Sequence, residues 1–259
     1  MAVDRDPQAI QVAKARLGSA RVAWLACSYA DPQALAAIRE FRPEFALFDL
    51  GVSTRQLDSD ARGFSFRPGV PLDMRMAPGA GETAAELLNG MDMSEMARLF
   101  RDYGDERRAK CLAATIVRRR SRSRFSTSDD LVNAIRSALG PRTGPSDFAR
   151  LFQAVRIAVN GEIEALETAL PIVLEALVPG GVLAVISYHS VEDRAVKRSF
   201  REWSRCCVCP VSAPVCTCRG RPLGSEDPRK PIRPTAKEIA DNPRARSARL
   251  RVFRKADAR

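Results

Sequence analysis

Hydrophobic positions change period several times along the chain. Residues 45–48 form an apolar run, Phe-Ala-Leu-Phe, that ends on Asp49 and then Gly51. Its length and aromatic content predict a buried strand. Residues 182–187, Val-Leu-Ala-Val-Ile-Ser, follow Pro179-Gly180-Gly181 and predict a strand buried on both faces. The stretches before the first run have a helical period instead. Asp6 and Pro7 form an N-cap and first-turn pair, with Ile10, Ala13 and Leu17 on one face up to Gly18. Residues 31–41 repeat the pattern with Leu35 and Ile38 inward, and short strands are expected near residues 2–4 and 22–25. The β-α-β-α-β rhythm is that of an α/β fold with a parallel, doubly wound sheet.

The middle of the chain is different. Residues 93–159 carry four helical patterns, at 94–103, 105–120, 126–140 and 146–159. They read as an inserted all-helical subdomain over residues 91–159, with the α/β domain taking residues 1–90 and 160–259. Residues 61–90 are dense in Gly, Pro and Arg and read as one long loop. Within it, Phe64, Phe66, Arg67 and Arg75 either stack on and clamp a nucleotide or belong to an ordered surface loop that uses the phenylalanines as plugs. Residues 162–177 and a stretch from 191 onward return to helix. Residues 219–241 read as extended, and residues 249–255 as an edge strand with one apolar and one basic face.

Charge adds a direction to this picture. The net charge is +11, and residues 195–259 hold the whole excess, with 17 basic against 6 acidic side chains. Such a region suits a polyanion such as nucleic acid; the plainer alternative is a solubilising basic tail. No apolar run approaches the roughly 20 residues that span a bilayer, and the first residues lack the apolar core of a signal peptide, so a cytoplasmic location without membrane contact is expected. Nothing in the sequence indicates an oligomeric state.

Candidate chemistry gathers at strand ends. In open α/β sheets ligands sit beyond the carboxyl ends of the strands. Asp49 stands at such an end, and Gln56 follows seven residues later, close enough to line the same pocket. Asp4 ends the first short strand, where an acid commonly holds ribose hydroxyls; alternatively Asp4 and Asp6 are both helix caps. Ser187 and His189 stand at the end of the 182–187 strand, and His189 is the single histidine of the chain. Seven cysteines in a chain of this kind argue against a disulfide framework. Cys207 and Cys209 form one C-x-C pair and Cys216 and Cys218 another, an arrangement able to bind Zn²⁺ tetrahedrally or to remain a reduced thiol cluster.

Four strings narrow the reading further: VDRDPQAI (3–10); DLGVSTRQLD (49–58) with GFSFRPGVPLDMRM (63–76); GGVLAVISYHSVEDRAVK (180–197); and NPRARSARLR (242–251). In order and spacing they resemble the bacterial 16S ribosomal RNA (cytosine-N4)-methyltransferase family, RsmH or MraW, over nearly the whole chain. The resemblance implies a Rossmann-like methyltransferase domain with a helical insertion. It also implies S-adenosylmethionine as cofactor and, as substrate, a cytidine in the decoding region of 16S rRNA within the small ribosomal subunit. Carried over position by position, it implies cofactor contacts at Asp4, Tyr29, Asp49 and Gln56. Asp49, Ser187 and His189 are then candidates to orient the cytosine amine.

The family's first strand and Gly-rich loop (DGTxGxGGHS) are not among these residues. The resemblance therefore implies a start upstream, weak cofactor binding by this chain alone, and apolar surface left exposed on the sheet. A non-catalytic RNA-binding protein of the same fold is the alternative.

Overall fold

A computed structural model describes residues 1–210 and 215–258. The elements run in the order β1 (Ala2–Val3), α1 (Pro7–Leu17), β2 (Trp24–Leu25), α2 (Pro32–Phe41), β3 (Phe45–Asp49), α3 (Thr54–Asp58), α4 (Ala84–Gly90), α5 (Met93–Asp102), α6 (Ala109–Arg120), α7 (Ser128–Leu139), α8 (Pro145–Asn160), α9 (Glu162–Ala176), β4 (Val182–Ser187), α10 (Ser190–Trp203), β5 (Gly224–Glu226), α11 (Ala236–Asp241) and β6 (Arg249–Lys255). They form two compact units. One comprises residues 1–4, 19–51 and 163–259; the other comprises residues 5–18 and 52–162. The helix-rich unit is thus wider than residues 91–159 and includes α1, α3 and α4.

The first unit is α/β. β1 and β2 pair in parallel as a two-stranded sheet, and β3, β4, β6 and β5 form a four-stranded sheet in that order. The β3–β4 pair is parallel, whereas β6 is antiparallel to both β4 and β5. The expected edge position of β6 is not found: it lies between β4 and β5. Its expected basic face is not found either. Arg251 and Phe253, two residues apart, point to the same buried side of the sheet, at 6% and 0% exposure. Asp193 on α10 accounts for this, accepting from Arg251 Nε at 2.7 Å and from Arg249 Nη1 at 2.7 Å. Burial alone would raise the Asp193 carboxyl, but the bonds from Arg251 and Arg249 outweigh it and hold it below the usual carboxylate range.

Period-two alternation splits the four-stranded sheet into unlike faces. Phe48, Leu183, Val185 and Phe253 join α9 and α10 in a core that includes Leu170, Val173, Phe200 and Trp203. The other face carries Phe45 and Leu47, which are 59% and 55% exposed, contrary to the expectation of a wholly buried strand. Val182 of β4 is in register beside Phe45, and on the same face stand Ile186 of β4 and Leu250 and Val252 of β6, all only half-buried, while Ala184 beside Leu47 is buried. Apolar surface is therefore exposed on this sheet.

The second unit packs α4 to α8 around Leu88, Met96, Phe100, Leu112, Ile116, Leu131, Ile135 and Leu151. Residues 61–90 are not one loop. Thr83 and Glu86 make a reciprocal capping box that starts α4. Asp6 caps α1 and Pro7 opens it, as the sequence suggested, but Leu17 is half exposed rather than inward. In the first unit, α11 interrupts the stretch expected to be extended, whereas β5 keeps to it. Among the described residues, no helix is long and apolar enough to cross a membrane.

Candidate functional site

β3 and β4 run side by side and finish together, with Asp49 in register with Ile186. The chain then leaves β3 through Gly51, at φ +88, and leaves β4 through Tyr188. These exits bring two side chains together: the Tyr188 hydroxyl donates to Asp49 Oδ1 at 3.1 Å. Burial first, and the Asp49 carboxylate second, push the Tyr188 phenol up to about 12. It therefore remains a neutral donor across the physiological range. Asp49 is exposed and Tyr188 is 37% exposed, so the pair faces solvent at the carboxyl end of the sheet.

The turn behind this pair is fixed by Glu192, which is 2% exposed. Its carboxylate accepts from the Tyr188 N–H at 2.9 Å and the His189 N–H at 3.4 Å. The His189 ring returns the bond: Nδ1 accepts from the Glu192 N–H at 3.3 Å, while Nε2 lies 3.1 Å from Glu192 Oε1. This is a capping box at the start of α10, with histidine in the capping role. Glu192 escaped sequence reasoning, although its spacing three residues after His189 was the available signal. Ser187 is 1% exposed, and its hydroxyl donates to the Arg249 carbonyl at 3.4 Å. The strand end thus presents Asp49 and Tyr188 outward and holds Ser187 inside.

The remaining strand-end residues of this unit are Asp4, exposed just after β1, and Tyr29, after β2. The Tyr29 ring meets Phe48 edge-on, with centroids 5.2 Å apart. Gln56 belongs to the second unit, on α3, and is 8% exposed. Its amide oxygen accepts from the Ser53 N–H at 2.9 Å and its nitrogen donates to Asp6 Oδ2 at 2.8 Å. Asp6 also accepts from Arg62 at 3.0 Å and from the Gln8 N–H at 3.0 Å. Burial would raise its carboxyl, but the bonds from Gln8, Arg62 and Gln56 together keep it below the usual range.

The loop residues have local occupations. Phe64 is buried in the helical core, and Phe66 stacks against Phe148 and Phe152 at 5.9 and 6.0 Å. Arg75 pairs with Asp73 at 2.7 Å and Arg67 with Asp60 at 2.9 Å. The plug alternative describes these side chains better than the nucleotide clamp.

The four cysteines of the two C-x-C pairs converge. One Sγ from each of Cys207, Cys209, Cys216 and Cys218 lies within 4.8 Å of all the others. The Gly220 N–H first, and the Val208 N–H second, draw the Cys218 thiol down to about 6. Cys216 goes the other way, up to about 12: the Cys218 N–H pulls it down, but contacts with the sulfurs of Cys218, Cys207 and Cys209 outweigh that bond. One member of the cluster is thus readily a thiolate while its neighbour keeps its proton.

Comparison with known proteins places this geometry in a family. The chain is 54% identical over 258 residues to the ribosomal RNA small subunit methyltransferase H of Gemmatimonas aurantiaca, covering 98% of this chain and 82% of that protein. Proteins of the same name from Heliobacterium modesticaldum and Thermomicrobium roseum are each 45% identical, over 98% and 97% of this chain and 83% and 78% of their own. The MraW methylase family model matches residues 1–256, nearly end to end, and the chain belongs to that family.

Proposed function

We propose that this protein transfers a methyl group from S-adenosylmethionine to N4 of a cytidine in the decoding region of 16S rRNA, acting on the small ribosomal subunit. The observation that carries the reading is the 54% identity, over 98% of the chain, to a relative named for methylating small subunit ribosomal RNA. The exposed Asp49–Tyr188 pair at the end of two parallel strands agrees with it.

The strand-end residues suit the cofactor chemically. S-adenosylmethionine carries a ribose diol, an ammonium and a sulfonium, all of which favour carboxylate partners, together with an adenine that favours aromatic surfaces. Asp4 is assigned to the ribose, Tyr29 to the base side and Asp49 to the cationic end. When bound, the cofactor supplies an activated methyl group. The protein's own task is to hold the cytosine amine, a weak nucleophile whose lone pair is delocalised into the ring. It must hold that amine in line and accept its N–H bonds. Asp49 is the acceptor at this edge, and Tyr188 fixes its orientation. His189 and Glu192 position Tyr188 through the turn and are positioning residues. The cytosine leaves its stack to reach such a site. The basic C-terminal region supplies affinity for the RNA backbone.

The test incubates the protein and labelled S-adenosylmethionine with small subunits lacking the modification, with naked 16S rRNA and with DNA, followed by nucleoside analysis. N4-methylcytidine in rRNA, abolished by Asp49→Ala, is the expected result. Retention of RNA binding with no methyl transfer would establish the non-catalytic alternative. Methylation of DNA alone would overturn the substrate assignment.

A further inference from the structure

Residues 204–223 connect α10 to β5, and their described residues form no hydrophobic core. No described residue in this stretch is buried, and Val208, Val215 and Leu223 are 38%, 69% and 37% exposed. The stretch contains no described helix or strand. At its ends it is tied to the last turn of α10. The Leu223 N–H donates to the Trp203 carbonyl at 2.8 Å, and Arg219 Nη2 donates to the Glu202 carbonyl at 2.5 Å and the Arg205 carbonyl at 3.3 Å. Among the described residues no buried apolar side chain holds the turns between these ties, yet four sulfurs meet there.

We propose that Cys207, Cys209, Cys216 and Cys218 bind one structural zinc ion as a tetrathiolate, and that this ion folds the connection between α10 and β5. The spacing of the sulfurs is the first argument. Cys216 Sγ lies 3.5 Å from Cys218, 3.6 Å from Cys207 and 4.0 Å from Cys209. A tetrahedron built on Zn–S bonds of about 2.3 Å has edges of about 3.8 Å. The side chains therefore already stand as the corners of such a shell, with all seven cysteines of the chain present as free thiols.

The second argument is the backbone around the sulfurs. The Val208 N–H points at Cys218 Sγ, at 3.4 Å. N–H···S bonds of this kind orient a thiolate ligand and offset its negative charge, the task of outer groups at metal centres. Val208 lies between the two ligands of the first C-x-C pair, so each pair helps to fix the other.

The donor set selects the metal and its role. Four soft thiolates favour zinc over the hard cations magnesium and calcium. Four protein ligands close the shell and leave no position for water or substrate, which is the pattern of a structural site. Cys206 adjoins the cluster but is not one of the four; its carbonyl, not its sulfur, faces Cys218. The charge of the shell is consistent with its setting, because Arg205, Arg219 and Arg221 flank a centre of net charge −2.

The test uses the full chain purified under reducing conditions. The expected result is about one zinc per chain, replaceable by cobalt with the intense sulfur-to-metal absorption and split visible bands of tetrahedral thiolate coordination. Cys209→Ser and Cys218→Ser should each weaken metal binding by about tenfold or more, while Cys206→Ser leaves it unchanged. Far-ultraviolet circular dichroism confirms that the variants remain folded. A second measurement needs no variant: chelation should speed tryptic cleavage after Arg205 and Arg219 by about tenfold or more, leaving the two units intact. Zinc below about a tenth of an equivalent after incubation with excess metal would overturn the proposal, as would iron in its place or a Cys218→Ser variant that binds normally. Zinc bound with unchanged proteolysis would overturn the folding role.

Discussion

The Tyr188 hydroxyl and the Asp49 carboxylate meet at 3.1 Å, although 139 residues separate them in sequence. The bond exists because β3 and β4 are parallel neighbours whose ends coincide. Removing the hydroxyl by Tyr188→Phe should leave the fold intact and lower kcat by about tenfold through loss of Asp49 orientation. Asp49→Ala should lower it by about a hundredfold or more. The Tyr188 phenol should titrate near 12 by tyrosinate absorbance, a step absent in Tyr188→Phe. The phenol is raised from 10 in the folded state, so its contribution to stability is complete below pH 10 and is lost as pH rises towards 12.

The Asp193 bracket should contribute on the acid side. Its carboxyl is depressed in the folded protein, so the stability it confers is present above the ordinary carboxylate value of 3.8 and is lost as pH falls through the lower folded value. Asp193→Ala leaves Arg251, 6% exposed, without its main partner; Glu226 remains 3.6 Å away. The expected destabilisation in urea is about 3–5 kcal/mol. Asp193→Asn should cost less, because one acceptor remains.

Gly63 tests the helical unit. It sits at φ +73, and an added Cβ would fall 2.4 Å from the Pro71 carbonyl oxygen and 2.6 Å from the Asp73 nitrogen. Both are backbone atoms, so relief requires the loop to move. Gly63→Ala should destabilise the protein by about 2–4 kcal/mol. Gly18 has a similar φ, +54, with open space around it. Gly18→Ala should cost only about 1 kcal/mol. Thermal unfolding of the two variants separates steric from conformational effects.

Phe45 and Leu47 give the opposite result to a core substitution. Their exposure means that Phe45→Lys or Leu47→Lys should change stability by less than about 0.5 kcal/mol. The same changes should raise solubility and reduce binding of apolar dyes, because a large exposed apolar face promotes association.

Local signals account for what the sequence made legible. Asp6-Pro7 announces α1, and Val182–Ser187 is bounded by Gly181 before it and the Tyr188-His189 turn after it. α4 stayed hidden because its Thr83–Glu86 capping box lies in a stretch rich in glycine and proline. The inward turn of Arg251 could not be read from the alternation of β6, since its reason, Asp193, lies 58 residues away. Phe45 and Leu47 have the composition of buried positions, and only the arrangement of the sheet decides that they are not. At the site, Asp49 was legible as an acid ending a strand, whereas its partner Tyr188 depends on strand order. The acid Asp6, singled out only as a cap, became the acceptor for Gln56 and Arg62 because α3 and the loop after it fold back on α1.

The chain interrupts its own sheet. Residues 52–162, most of one compact unit, lie between β3 and β4, and β4 pairs with β6 across a further 62 residues or more. The helices of that unit contact one another mainly in sequence order, α5 with α6 and α6 with α7. Local contacts form quickly and distant pairings slowly. Refolding should therefore show two rates: an early gain of helix, then a slower phase in which Trp203, packed on Phe253 of β6, acquires its native fluorescence. Until that slower step, both edges of β4 are open, and the interval before β6 arrives is when the protein is most exposed to pairing with the wrong strand.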